Sequence, residues 1–206
     1  MPRPMARLTL LGVGAMRSPR YAPAGLLVEH GRKRIAIDGG PGAEPAGELS
    51  AWLVSDARGE LMRELRVLGR ARGLEPRVGP FVSRGLAIEP LPVRHTSHPT
   101  YGYRIEIGGR VVVWAPEFFE FPAWAAGADL MFAEAAGYDR PIRFAGGVGG
   151  HAPALEVARD ASQSGVGTLV FAHLGRSTIR AIDAGKTPPF GVFGHDGDVF
   201  LLRRPS

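Results

Sequence analysis

Three apolar runs of this sequence each end in a residue able to hold a metal ion or move a proton: LPVRH at His95, VVVWAPE at Glu117 and TLVFAH at His173. A fourth run, AWLVSD, ends in Asp56 and continues through SDARGEL to Arg58 and Glu60. One strand-end histidine is ordinarily a structural imidazole with a satisfied hydrogen bond. Several strands that each terminate in a nitrogen or oxygen donor point to a shared site, since loops at the ends of rigid strands face solvent while the strands fix their geometry. Asp56, Glu60, His95, Glu117 and His173 are therefore five candidate metal ligands, and their mixed oxygen and nitrogen character suits a hard or borderline divalent cation. The chain has no cysteine, which excludes disulfides, thiol catalysis and thiolate-bound zinc.

The elements that must position these residues alternate in a recognisable order. LTLLGVG, GLLVEH and KRIAIDGG are β-type runs, the last two joined by a glycine turn that predicts a hairpin. AWLVSD predicts a buried strand, and Leu61, Leu65 and Leu68 recur at helical spacing among arginines, predicting an amphipathic helix from Arg58 to about Arg72. In the second half LAIEPLPVRH, GYRIEIG, RVVVWAP, DLMFAEA and TLVFAH read as strands, with a helix from Pro153 to Ser164 after the glycines at 146 to 150. A short helix near Thr178 to Ala184 and a last strand, DVFLLRR, close the chain. Two β-rich halves, each ending in strand and helix alternation with no low-complexity linker, predict an α/β fold: a four-layer αββα sandwich in a single domain over residues 1–206.

Composition narrows the ligand. The formal charge is +5, and all but two of the 25 basic residues, Lys33 and Lys186, are arginine. Arginine favours bidentate contact with phosphate or carboxylate, so a small anionic substrate is plausible, against the plainer reading of a solvated basic surface. No compact basic cluster stands out, and Trp52, Trp114 and Trp124 read as core aromatics, so nucleic acid is open as a partner but not favoured. No apolar run reaches the ~18 residues of a membrane span, and the run LTLLGVGAM lacks a cleavage signal, so a cytoplasmic protein without membrane association is expected.

Taken together, LTLLGVGAMRSPR, LLVEHGRKRIAIDGGPG, HTSHPTYGYRI, VVVWAPEFF and MFAEAAG with GGHAPALEVARDASQSGVGTLVFAHLGR resemble the metallo-β-lactamase-fold hydrolases, in particular the branch of tRNase Z and related phosphodiesterases. The resemblance runs from residue 7 to about 180 and implies a metal-dependent hydrolase of a phosphodiester or related ester, with a homodimer as one possible state. It departs at the family's most diagnostic motif, Thr-His-x-His-x-Asp-His. There Asp56 and Arg58 stand for the first two histidines, Glu60 for the aspartate and Leu61 for the last histidine. Glu117 matches the bridging aspartate, His173 the final ligand histidine, and His95 the middle one, with His98 a competing match. The resemblance implies that Glu134 and His151 form the pair that protonates the leaving group. Two readings remain open: a rebuilt site holding one or more divalent ions (manganese, iron or zinc), with Arg58 stabilising phosphoryl charge, or a metal-free and catalytically inactive site in which Arg58 binds a nucleotide or other anion directly.

Overall fold

The computed structural model describes residues 5–203. The first half forms a sheet from β1 (Ala6–Gly12), β2 (Gly25–His30), β3 (Lys33–Asp38) and β4 (Ala51–Leu53), followed by helix α1 (Met62–Arg70). The second half begins with β5 (Phe81–Ser83), β6 (Leu86–Val93), β7 (Thr100–Ile107), β8 (Arg110–Ala115) and β9 (Leu130–Ala135). A two-residue ribbon, β10 (Ile142–Arg143) with β11 (Gly150–His151), leads into α2 (Ala154–Gln163), β12 (Leu169–Leu174), α3 (Arg176–Asp183), β13 (Val192–Phe193) and β14 (Val199–Leu202). The first sheet has the order β14-β1-β2-β3-β4, so the last strand returns to close the edge of the first; the second has the order β13-β12-β9-β8-β7-β6-β5.

Alternation explains the layers. Leu8, Leu10, Leu26, Val28, Ile35 and Ile37 of the first sheet share one core with Tyr103, Ile105, Val112, Trp114, Phe132 and Phe171 of the second. The opposite face of the first sheet presents Ala36 and Trp52, and with Val54 these bury Met62 and Leu65 of α1 in a separate cluster. β9 and β12 are buried at every position, as expected for parallel strands covered on both faces. The outer face carries α2 through Ala154, Val157, Ala158 and Ala161. The predicted αββα order is thus observed. No helix among the described residues is long and apolar enough to cross a membrane.

Three differences from the expected elements affect the site. Helix α1 begins at Met62, not Arg58. The Asp56 side chain accepts a hydrogen bond from the Arg58 backbone at 2.7 Å, an Asx turn that holds residues 56–59 in a non-helical corner. β6 stops at Val93, so His95 lies on the loop beyond it, and Glu117 likewise lies beyond β8, past Pro116, which has no N–H to continue a ladder. The short strands β5, β10, β11 and β13 carry no sequence signal of their own. The expected last strand runs to Arg204, which lies outside the described residues.

Candidate active site at the strand ends

Glu134 is the centre of the arrangement. It stands in β9, wholly buried, and each carboxylate oxygen accepts from one backbone amide and one imidazole. Oε1 takes Ala136 N at 2.7 Å and His173 Nδ1 at 3.0 Å, while Oε2 takes Phe118 N at 3.3 Å and His151 Nδ1 at 2.6 Å. Burial alone would raise this carboxyl, yet the charges and hydrogen bonds of His151 and His173 bring it down to about 2. The ladder between β9 and β12 shifts register between Phe171 and His173, which leaves Ala172 as an extra residue and pairs His173 with Glu134. Such a bulge re-aims a side chain at a sheet end.

His173 faces carboxylates with both nitrogens, its Nε2 standing 3.0 Å from Glu117 Oε1. His95 Nε2 lies 3.1 Å from the other Glu117 oxygen, and its Nδ1 donates to Gly150 O at 2.9 Å. Burial works to lower His173, but Glu134 and Glu117 outweigh it and push the imidazole up to about 10. His95 is also raised: against its burial, the hydrogen bond and charge of Glu117 favour the imidazolium. Glu117, one-third exposed, would be raised by desolvation, but His173 and His95 hold it well below the usual carboxylate range. The strand ends therefore place His95, Glu117, His173, Glu134 and His151 in one connected cluster, with His151 stacked at 5.3 Å on His173.

The position of His95 depends on the glycine loop behind it. Gly150 N donates to His95 O at 2.8 Å, and a Cβ on Gly149 would stand 2.0 Å from that same oxygen. Gly149→Ala is therefore expected to cost about 3 kcal/mol, near the top of ordinary single-site effects, as read by urea unfolding. A loss below about 0.5 kcal/mol would show that the loop is not fixed as described.

The cluster opens into a cavity of about 1000 Å³. Its other wall is the corner after β4, which carries three of the expected site residues. Asp56 does not join His95 and His173: its two oxygens stand 3.0 and 2.9 Å from His98 Nε2, so the carboxylate is engaged elsewhere. Glu60 lines the cavity but is exposed at its rim, because the Asx turn carries it outward before α1 begins. Arg58 lines the cavity beside it, is exposed, and makes no ion pair among the described residues. Of the two histidine matches, His95 reaches Glu117 and His98 reaches Asp56.

Two groupings within the cluster bear on a metal. Glu134, His151 and His173 each offer one ligand atom within 4.8 Å of the others, a possible metal-binding triad. Both oxygens of Glu134 already accept two hydrogen bonds, however, whereas His95, Glu117 and His173 direct Nε2 and carboxylate atoms at one another on the cavity side. In that second set each Nδ1 is fixed by an outer acceptor, Gly150 O or Glu134, the way metal-binding histidines are commonly oriented. Two imidazoles and one carboxylate are a donor set suited to a single divalent ion, while at the corner Leu61 offers no donor and the Asp56 carboxylate is engaged by His98.

Sequence reading missed Asp38. It ends β3 at a φ of 55°, in the left-handed region, and binds both sheets. Its Oδ1 accepts from Ser55 N and Oγ at 2.6 and 3.0 Å, its Oδ2 from Trp114 Nε1 at 2.7 Å, and its carbonyl from Trp52 Nε1 at 2.8 Å. Desolvation, with some repulsion from Glu117, raises its carboxyl to about 6 despite those bonds. The signal was the run IAIDGG, in which an acid closes an apolar strand just before two glycines.

No family model matches this sequence and no curated protein is detectably similar to it. Solved structures are. The metallo-β-lactamase fold protein YhfI from Bacillus subtilis is 19% identical over 95% of this chain and 98% of its own, with a TM-score of 0.74. A diphosphatase of the PhnP family is 18% identical over 97% of this chain and 98% of its own, with a TM-score of 0.70. Human tRNase Z, short form, is 14% identical over 96% of this chain and 99% of its own, also at 0.70. With two packed sheets, helices on their outer faces and an imidazole and carboxylate cluster at the strand ends, the chain has the metallo-β-lactamase fold.

Proposed function

We propose that this protein is a hydrolase of a phosphodiester or related small anionic ester. The observation that carries the reading is His151: Glu134 fixes its Nδ1 at 2.6 Å, and its Nε2, with no protein partner among the described residues, is left for a leaving group in the cavity shared with His95, Glu117 and His173. A carboxylate behind an imidazole orients the ring so that its other nitrogen faces the cavity, the position from which a proton is donated to a leaving oxygen. Arg17, Arg58, Arg176 and Arg180 line the same cavity, all exposed and without an ion-pair partner among the described residues, which favours an anionic substrate. The solved structures of similar fold include a diphosphatase and a tRNase Z, which agrees with a phosphate ester.

His95, Glu117 and His173 would hold one divalent ion, which when bound supplies a Lewis acid and lowers the pKa of water. The same distances favour a second reading, in which protons on His95 and His173 balance Glu117 and Glu134 and the protein binds an anion without a metal. One experiment separates the two. The protein is loaded in turn with manganese, iron and zinc, its metal content measured, and hydrolysis of bis(p-nitrophenyl) phosphate and a panel of phosphodiesters compared with His173→Ala. About one ion per chain, lost with turnover in the variant, supports the metal hydrolase. Turnover no higher than that of the variant under every condition overturns it, and an empty site that still binds phosphate or a nucleotide selects the second reading.

A further inference from the structure

We infer that Asp56 and His98 form a second acid–base pair, with His98 the catalytic base for the attacking water and Asp56 its positioning residue; the inference rests on the hydrolase reading above. The geometry is that of a built dyad. His98 Nε2 lies 3.0 and 2.9 Å from the two Asp56 oxygens, and the side chains are only 22% and 11% exposed. Both partners are fixed from behind. Asp56 Oδ1 also accepts from Arg58 N at 2.7 Å, and Thr96 Oγ1 donates to His98 O at 3.0 Å. Tyr101 N donates to Ser55 O at 3.0 Å, tying the loop that carries His98 to the corner that carries Asp56.

With Nε2–H held by the carboxylate, the lone pair of His98 is on Nδ1. That atom has no hydrogen-bond partner among the described residues, and His98 lines the same cavity as His151. Asp56 stands at the corner where the resemblance expects a ligand, and it serves an imidazole instead, as in base–orienter pairs generally. The two dyads divide the proton transfers of hydrolysis. As a water oxygen bonds to phosphorus, its proton passes to His98 Nδ1; as the bond from phosphorus to the leaving oxygen breaks, His151 Nε2–H protonates that oxygen. Solvent then carries the proton from His98 back to His151, so the net change is the addition of one water and no further reactant is needed.

The test combines a chemical probe with kinetics. Diethyl pyrocarbonate modifies unprotonated, accessible imidazole nitrogen, and mass spectrometry assigns the adducts. His98 is expected to label at least about tenfold faster than His95 and His173, whose nitrogens are all engaged, and Asp56→Asn to slow it several-fold without changing His195, because an amide can donate to Nε2 and no longer fixes the tautomer that leaves the Nδ1 lone pair open. His98→Gln should lower kcat about 100-fold, within the range for loss of a general base, with KM changed less than about threefold and partial rescue by added imidazole. Labelling of His98 as slow as that of His95 overturns the open lone pair. Rapid labelling with wild-type turnover in His98→Gln and Asp56→Asn reduces the dyad to a tie between loops and leaves the hydrolase reading intact. A wild type that turns over nothing removes the hydrolase reading, and the role of His98 falls with it.

Discussion

Replacing Glu134 by glutamine is expected to destabilise the protein by about 3–5 kcal/mol, the cost of removing one partner from a buried ion pair. Glutamine matches the shape but not the chemistry. All four groups on Glu134 are donors, the amides of Ala136 and Phe118 and the Nδ1 atoms of His151 and His173. An amide accepts on one side only, so its NH2 must face two of those donors inside the core. The loss should also depend on pH in a defined way. Glu134 is depressed to about 2 from an ordinary value of 4.5, so the stability it contributes is complete above about 4.5 and disappears as pH falls through 2. His173 is raised to about 10 from 6.5, so its share is complete below about 6.5 and disappears as pH rises through 10. The gap between wild type and Glu134→Gln is therefore widest from pH 4.5 to 6.5 and narrows on both sides. Urea unfolding at several pH values measures it directly, and because Asp38 is unchanged in both proteins its opposite pH dependence cancels. A gap that is flat across the range would mean that Glu134 is not the ionised centre of the cluster.

What the sequence could show of this site follows from which parts are local. Alternation and strand length are local, so the layer order and the strand ends near His95, Glu117 and His173 were legible. The connection of those residues is not local. It depends on the extra residue Ala172 in β12, which turns His173 to both Glu134 and Glu117, and on Gly149 and Gly150, which hold His95 from a loop 54 residues away and more. Nothing in TLVFAH announces a bulge. The corner at SDARGEL was misread for a related reason. Leucine spacing extended the helix back to Arg58, but the Asp56 turn competes with helix formation and wins for four residues, which is enough to send Glu60 outward. His98 could be recognised as an alternative to His95 but not as a partner of Asp56, since the two are 42 residues apart and meet only where the sheets pack.

The same difference between a pair that shapes the site and a group that acts in it decides what His151→Ala should do. Its ring is partly buried against Phe144 at 5.4 Å and His95 at 4.7 Å, so truncation leaves a gap, but the stability lost says nothing about catalysis. The leaving group does. An alkyl or ribose oxygen must gain a proton as it departs, and loss of the acid is expected to slow such substrates by about 100- to 10,000-fold. A p-nitrophenolate departs as a stable anion and needs little help, so for bis(p-nitrophenyl) phosphate the same variant should lose less than about tenfold. His151→Gln, which fills most of the gap without supplying an acid, should follow alanine in kinetics and wild type in stability. Glu134→Gln should show the same selectivity for poor leaving groups, because it removes the carboxylate that holds Nδ1 and orients the ring. Equal losses on both substrate types would take His151 out of the proton transfer and leave it as packing behind His95 and His173. A loss confined to poor leaving groups fixes the direction of attack: the leaving oxygen points to the Glu134 side of the cavity, and the water must arrive from the wall that carries Asp56 and His98.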